Sequence, residues 1–357
     1  MKLTLFPSDA VIPKKPSRVK FGIDPTGDQL HLGHLIPLKI VKQLKNEGHQ
    51  IDILFGTFTA QIGDATDRYT SRPILSENET IRNASILLEQ VTRIIGNDVN
   101  IHYNTTWHNE TTLPDLISLM SKFSVQKLLS RDNFTNRMEQ NVPITMNELF
   151  SPLLQGLDSY FLKTNIEIGG TDQLFNFTIS REIQTILGSS PQICIMSPII
   201  NGLDGRKMSK SLGNCIFIND TPENVFGKVM SISDATMNEW QSIFMDSVDI
   251  TKHPMLLKKE LAHKITWDIW GEELANEALI TFEKNIQNKE IPKNIPEFQL
   301  MPILDLIKTI TNTSKSEAKR LLTSNAVSIN GIKANEDSVV GINDIIKVGK
   351  LKYGRIV

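Results

Sequence analysis

Two short segments of this chain carry residue types that suit a polyphosphate. His31-Leu32-Gly33-His34 places two imidazoles three residues apart, which puts them on one face of a helix if a helix begins there. A helix start offers free backbone N–H groups and a positive dipole end, and both favour phosphate. Gly33 lets a base or a ribose approach the backbone closely. For this motif alone, ordinary surface or core histidines and a pair of metal ligands remain open alternatives.

The second segment is Lys207-Met208-Ser209-Lys210-Ser211, in which two lysines stand three residues apart among serines. It lies on a glycine-bounded loop after a predicted buried strand. A lysine ammonium is a compact charge on a flexible stem, so it can follow a phosphate that moves. A solvated basic loop is the alternative if the lysines are considered alone. The two segments together, in this order and at this distance, indicate a nucleotide site.

The pattern of apolar residues predicts how these segments are positioned. Buried strands are expected at 18–24, 51–56, 165–170 and 192–200, with helices at 31–47 and 174–187. A strand, a crossover helix and a second strand within about 40 residues form the βαβ unit of a parallel sheet. We therefore predict a doubly wound, Rossmann-like α/β domain over residues 1–222.

The rest of the chain predicts two further domains. Residues 223–292 contain only helical patterns, so an all-helical domain is expected there. Residues 300–357 form a small α+β unit in which Asn330-Gly331, between β-branched residues, predicts a hairpin. This unit carries eight Lys and Arg against four Asp and Glu from residue 314 onward, which suits a phosphate-rich partner.

Bulk composition excludes several classes of protein. The 357 residues are 40% hydrophobic with a net charge of −2, which argues against wholesale coating of nucleic acid. No run approaches the ~18 apolar residues of a membrane span, and the apolar stretch at the N-terminus is too short for a secretory signal. We expect a cytoplasmic protein. Cys194 and Cys215 lack metal-ligand spacing, so neither a disulfide framework nor a metal site is predicted.

Several motifs in register resemble one family. FGIDPTGDQLHLGH, GTFTAQIGDATDR, PLLQGLDS, IGGTDQLFN and LDGRKMSKSLGN are similar to the motifs of class I aminoacyl-tRNA synthetases of the tyrosyl type, in the bacterial branch with lysine at position 20. The resemblance runs over essentially the whole chain. It implies a catalytic domain, a helical anticodon-binding domain and a small RNA-binding domain. It also implies ATP with Mg²⁺, tyrosine and tRNA(Tyr) as ligands, and a homodimer.

The resemblance assigns roles on the nucleotide side of the site. His31 and His34 would hold the ATP phosphates, while Lys207 and Lys210 would close on the pyrophosphate. The other residues expected to contact nucleotide or pyrophosphate are Asp24, Thr26, Gly33, Arg68, Arg72, Gly170, Asp172, Met208, Ser209 and Ser211.

The resemblance also assigns the amino-acid and RNA contacts. Asp64 and Gln155 would receive the substrate ammonium, and Asp158 would accept the tyrosine hydroxyl. Gln173 matches a position that binds the substrate carboxylate or the ribose. Thr59, Asn104 and Ser151 complete the expected pocket, and Lys315, Lys319, Arg320, Lys350 and Lys352 are the expected RNA contacts.

The sequence departs from the family at the substrate pocket. Ser151 stands where a tyrosine usually helps to bind the amino group, and Leu157 replaces a residue that is often aromatic. Ala65 and Asp67 replace the usual proline and glycine. Three hypotheses follow: a tyrosyl enzyme with drift at these positions, an enzyme of the same chemistry for a modified tyrosine, or an inactive RNA-binding relative. Tryptophan is disfavoured because Asp158 would be costly beside an indole.

Overall fold

The structure is a computed structural model that describes residues 3–62, 75–284, 295–349 and 352–357. The chain folds into two compact units, Met1–Ala275 and Asn276–Val357. The three-domain division with boundaries at 222, 292 and 300 stays a prediction. No helix within the described ranges combines the length and the apolar character needed to cross a membrane.

A largely parallel sheet forms the centre of the first unit. Its strands among the described residues are β1 (Thr4–Phe6), β2 (Arg18–Ile23), β3 (Gln50–Phe55), β4 (Asn100–Tyr103), β5 (Ile166–Gly170) and β6 (Ile193–Ser197). They lie in the order β1-β6-β5-β2-β3-β4, and only β1 runs antiparallel to its neighbour. The chain leaves β2 toward β3 and β4 and returns to β5 on the other side. Ligands bind in such sheets at this reversal, beyond the carboxyl ends of the strands. The predicted parallel α/β core is confirmed.

Helices connect and follow these strands, and the last of the series crosses the boundary between the two units. They are α1 (Leu32–Asn46), α2 (Thr59–Ile62), α3 (Glu77–Ile95), α4 (Thr105–His108), α5 (Leu113–Met120), α6 (Val125–Leu129), α7 (Asp132–Glu139), α8 (Met146–Phe161), α9 (Leu174–Ile186), α10 (Pro222–Met230), α11 (Asp234–Phe244), α12 (Pro254–Trp270) and α13 (Glu272–Phe282). The apolar positions predicted for the first crossover helix are buried in α1, including Leu32, Leu35 and Ile40. Burial of each such side chain contributes about 1.5–3 kcal/mol, which fixes this helix on the sheet.

Helices α8 and α9 approach closely at Gly156. A Cβ at this position would lie 2.5 Å from Ile183 Cδ1 and 3.1 Å from the Ser180 Cα, so the absent side chain allows the contact. Leu153 and Leu157 of α8 pack with Ile183 in the same apolar cluster. This packing fixes the helix that carries three of the predicted pocket residues.

The second unit is a small α+β fold. It contains β7 (Glu297–Phe298), α14 (Ile303–Thr311), α15 (Lys315–Thr323), β8 (Val327–Ile329), β9 (Ile332–Lys333), β10 (Ile345–Val348) and β11 (Lys352–Ile356), with the sheet order β7-β11-β10-β8-β9. Asn330 and Gly331 adopt φ of 50° and 86° between the antiparallel β8 and β9, so the predicted hairpin is confirmed. Ile307, Leu322 and Ile346 lie in its core.

Candidate active site

A cavity of about 410 Å³ opens in the first unit at the carboxyl ends of β2 and β5. It brings together residues that are far apart in the sequence. The predicted site residues that line it are Asp24, Thr26, His31, Gly33, His34, Thr59, Ser151, Gln155, Asp158, Gly170, Asp172, Gln173, Lys207 and Met208. The single cavity explains why the separate motifs belong to one site.

The two histidines form a reciprocal cap at the start of α1. The Gly33 N–H donates to His31 Nδ1 at 3.1 Å, and the His31 N–H donates to His34 Nδ1 at 3.2 Å. The ring centroids are 4.1 Å apart. Because each Nδ1 accepts a backbone hydrogen, each neutral ring carries its own proton on Nε2. The Nε2–H groups are therefore hydrogen-bond donors at the helix start.

Their electrostatic surroundings keep both rings neutral. Burial, followed by the charges of His34, Lys210 and Lys207, lowers the pKa of His31 to about 2. Burial and the nearby Lys210 lower the pKa of His34 to about 4. Positive charge at this place therefore comes from the lysines and the dipole of α1, while the imidazoles donate hydrogen bonds.

The lysine segment lies close enough to this helix start for its charges to act on both histidines. Lys207 Nζ is 3.4 Å from Asp172 Oδ2, and Lys210 Nζ lies beside Gly27, 3.4 Å from the point that a Cβ there would occupy. Asn214 anchors the segment, because its amide accepts from the Ser209 N–H at 2.9 Å and donates to the Lys207 carbonyl at 3.1 Å. Lys210 therefore lies beside the loop that follows β2, and Lys207 lies beside the segment that follows β5.

Met208 lines the cavity and is buried, with its N–H donating to the Ile200 carbonyl. The side chains of Ser209, Lys210 and Ser211 are not among those that line the cavity. Lys210 and Ser211 begin the short turn Lys210–Leu212 next to it.

A chain of polar side chains links the two ends of the cavity. Thr59 Oγ1 donates to Asp24 Oδ1 at 2.8 Å, and Asn104 Nδ2 donates to Thr59 Oγ1 at 3.1 Å. The same amide nitrogen lies 3.2 Å from Asp158 Oδ2. Asn104 is fully buried and lies behind the wall of the cavity. Asn104 thus connects Asp158 with Asp24 through Thr59.

Asp158 is a buried carboxylate surrounded by donors. Its Oδ1 lies 2.8 Å from Trp107 Nε1 and 2.8 Å from His108 Nε2, in addition to the Asn104 contact on Oδ2. Sequence reasoning identified Asp158 and Asn104 but missed Trp107 and His108. No motif around Trp107 and His108 indicates this contact, because the two residues reach Asp158, about fifty positions later in the chain, only through the orientation of the short helix α4.

A buried ion pair in the cavity wall was also missed. Lys20 Nζ lies 2.9 Å from Glu167 Oε1, and the two side chains are only 1% and 3% exposed. Lys20 also donates to Ser159 Oγ at 2.7 Å, and Gln155 Nε2 donates to Glu167 Oε1 at 3.2 Å. The sequence does place Lys20 and Glu167 inside two strands predicted to be buried, but it does not show that these strands are neighbours.

Some predicted residues lie elsewhere. Asp64, Arg68, Arg72 and Lys350 fall outside the described residues. Lys315, Lys319 and Arg320 are exposed on α15 of the second unit and pair with Asp305, Glu336 and Glu317. Lys352 Nζ donates to the Thr311 carbonyl at 2.7 Å. Within the described ranges, no three His, Cys, Asp or Glu side chains are placed to hold a metal ion.

Comparison with known proteins agrees with this geometry. Residues 13–287 match the family described as tRNA synthetases class I (W and Y). The chain is 38% identical to the tyrosine–tRNA ligase of Dehalococcoides mccartyi, over 96% of this chain and 92% of the relative. It is 39% identical to that of Aquifex aeolicus, with the same coverage of both chains.

Solved structures show the same fold. The tyrosyl-tRNA synthetase of Archaeoglobus fulgidus, solved with L-tyrosine, is similar with a TM-score of 0.58 at 19% identity. The match covers 74% of this chain and 90% of that one. At such low identity the likeness concerns the fold alone. The family match and the close relatives lead to one conclusion: the chain belongs to the class I tRNA synthetases that comprise the tryptophan and tyrosine enzymes.

Proposed function

We propose that this chain is a tyrosine–tRNA ligase that activates L-tyrosine with ATP and transfers it to tRNA(Tyr). One observation carries the proposal. A single cavity is lined by the neutral rings of His31 and His34, the ammonium of Lys207 and the buried carboxylate of Asp158, so it suits a triphosphate and a phenolic hydroxyl together. The tyrosine–tRNA ligases among the relatives support the choice of amino acid, since the family itself includes tryptophan enzymes.

Activation needs positioning and charge stabilisation, and no protein nucleophile. An oxygen of the tyrosine carboxylate forms a bond to the α-phosphorus, the bond from that phosphorus to the β-phosphate oxygen breaks, and pyrophosphate leaves. The Nε2–H donors of His31 and His34 and the ammonium groups of Lys207 and Lys210 would stabilise the growing charge on the phosphates. In the second step the terminal tRNA hydroxyl attacks the carbonyl carbon and AMP leaves.

The neighbouring groups have supporting roles in this proposal. Asp24 and Thr26 would contact adenylate and phosphate, while Gly170 and Asp172 would face the ribose. Asp64, Arg68 and Arg72 keep their expected roles at the ammonium and the pyrophosphate.

Mg²⁺ is expected to arrive on the phosphates of ATP. Such ions are generally held by substrate phosphates and water with one or two carboxylates. The nucleotide end suits this arrangement, because it offers Asp172 as a carboxylate beside Lys207. The ion would neutralise phosphate charge during the transfer.

The amino-acid end would recognise both ends of tyrosine. Gln155, Gln173 and Ser151 line the cavity and would contact the backbone of the amino acid. Asp158 would accept the hydroxyl. Phenylalanine would leave this buried acceptor unpaired, which penalises that substrate. In a tyrosyl enzyme, recognition of the hydroxyl group favours tyrosine over phenylalanine by about 10⁴–10⁵-fold.

An exposed apolar surface supports the proposed homodimer. Phe161 and Ile186, which are 43% and 42% exposed, line a second cavity formed by α4, α5, α8 and α9. Leu113 and Ile117 of α5 are also exposed, at 68% and 55%. Large apolar patches of this kind mark interaction sites. The exposed cations of α15 would contact tRNA phosphates, which give affinity but no base selection. A cytoplasmic location stays part of the proposal.

An ATP–pyrophosphate exchange panel tests the function. The purified chain is assayed with tyrosine, phenylalanine, tryptophan and tyrosine analogues, beside a His34→Ala variant. Best exchange with L-tyrosine, lost in the variant, supports the proposal, and charging of tRNA(Tyr) completes it. Better exchange with an analogue would move the assignment to a modified tyrosine, and no exchange with any amino acid would contradict catalysis altogether.

A further inference from the structure

One short segment supplies every donor that the described residues direct at Asp158. Asn104 immediately precedes α4, and Trp107 and His108 are its last two residues. Trp107 Nε1 and His108 Nε2 both lie 2.8 Å from Oδ1, while Asn104 Nδ2 lies 3.2 Å from Oδ2. Asp158 and His108 are both buried, and the Phe58 ring lies 5.1 Å from the imidazole. The carboxylate is therefore held by a local, water-poor arrangement.

The hydrogen bonds determine the tautomer of His108. Within the described part of the chain, its Nδ1 is buried and has no hydrogen-bond partner. A proton on Nδ1 would be a buried donor without an acceptor, which is rare in folded proteins. A lone pair there is less costly, so the proton belongs on Nε2 and is donated to Oδ1. With Trp107 and Asn104 also donating, Asp158 is surrounded as an ionised carboxylate would be.

Counting acceptor positions shows what this arrangement leaves for a ligand. An ionised carboxylate offers about four lone-pair positions, two on each oxygen. Trp107 and His108 occupy those of Oδ1, and Asn104 occupies one of Oδ2. We propose that His108 is a positioning residue that fixes Asp158, so that one acceptor position on Oδ2 remains for the side chain of the amino acid.

The inference rests on the proposed function and makes it more specific. A single remaining acceptor matches a side chain that brings one O–H donor, as the phenol of tyrosine does. Phenylalanine brings none and leaves the acceptor unpaired. Without His108, Oδ1 would keep only the donor of Trp107, so Asp158 could turn within the pocket. This change weakens tyrosine binding and reduces the penalty for phenylalanine.

The test measures the tyrosine-to-phenylalanine ratio of kcat/KM in ATP–pyrophosphate exchange with the full chain. His108→Leu should lower this ratio roughly 10- to 100-fold, because a hydrogen bond to a charged group is lost. The KM for tyrosine should rise while the KM for ATP stays unchanged. His108→Gln, whose amide still donates a hydrogen bond, should recover most of the ratio.

A matched control exists in the same unit. His102 Nε2 lies 2.9 Å from Asp52 Oδ1, which is the same type of pair away from the cavity. His102→Leu should leave the ratio unchanged. If His108→Leu does not fold, His108→Met, which also lacks the donor, must give the same fall.

The outcomes separate this inference from the proposed function. A parent protein that shows no tyrosine-dependent exchange overturns both. A parent that exchanges with tyrosine, together with a folded His108→Leu variant that keeps the parental ratio, overturns only the role of His108. An equal fall in His102→Leu would also overturn it, because the effect would then be one of general stability.

Discussion

Removing one partner of the buried Lys20–Glu167 pair should destabilise the first unit strongly. At the 2.9 Å separation of Nζ and Oε1, the attraction is about 6 kcal/mol for an effective dielectric constant of about 20. Taking two ions out of water costs several kcal/mol for each, so the intact pair adds little net stability. Lys20→Met leaves the Glu167 charge buried without its partner. The expected loss in the free energy of unfolding is about 3–5 kcal/mol.

Urea unfolding followed by tryptophan fluorescence measures this loss selectively. The tryptophans are residues 107, 240, 267 and 270, all within Met1–Ala275, so the signal reports on the first unit. The double variant Lys20→Met/Glu167→Gln removes both charges. Its free energy of unfolding should be at least as high as that of the less stable single variant. The losses of the two single variants are then not additive, and the difference is a coupling energy of a few kcal/mol.

An exposed pair provides the control. Lys252 and Glu260 are 2.5 Å apart, but their side chains are 40% and 41% exposed. Lys252→Met should leave the urea midpoint unchanged, because exposed pairs contribute little. The reasoning would be refuted if Lys20→Met unfolded at the parental midpoint, or if the single losses simply added in the double variant.

Three further predictions concern the site and its support. Lys207→Ala should reduce the exchange rate about 10²–10³-fold, as expected when a charge-stabilising group is removed. Its free energy of unfolding in urea should stay within about 0.5 kcal/mol of the parental value. The folded pKa of His34 is about 4, below the ordinary 6.5, so protonation favours unfolding and stability falls as pH drops from 6.5 toward 4. Between pH 7 and 5 the free energy of unfolding of His34→Asn should therefore fall by roughly 2 kcal/mol less than that of the parent, measured by urea unfolding, and an equal fall would contradict this. Gly156→Ala should lower the free energy of unfolding of the first unit by about 1–3 kcal/mol in the same assay. The clash with Ile183 outweighs the gain of about 1 kcal/mol in helix propensity. A stabilised variant would disprove the close contact.

Most of the core could be predicted from local patterns. The periodicity of α1, the buried strands and the Asn330-Gly331 hairpin depend on short-range rules, and the structure confirms them. Helix α1 ends at Asn46, slightly before the predicted end, and Gly48 then adopts a φ of 91°. The resemblance to a known family identifies most of the residues that line the cavity.

The unpredicted contacts depend on side-chain placement in three dimensions. The Lys20–Glu167 pair requires β2 and β5 to be neighbours in register, although they are nearly 150 residues apart in sequence. The surroundings of Asp158 depend on the direction in which the single-turn helix α4 points Trp107 and His108. Neither apolar periodicity nor motif spacing contains that information.

The position of three pocket residues on one rigid helix has a consequence for substrate length. Ser151, Gln155 and Asp158 follow each other on α8 at spacings of four and three, so they face the same cavity. Seven residues of helix span about 10 Å. The spacing of these three side chains is therefore fixed by backbone geometry, and Gly156 holds that backbone against α9. If they bind the two ends of tyrosine as proposed, a homologue with one more methylene would be too long for the site, and one with a methylene fewer would fail to reach one end.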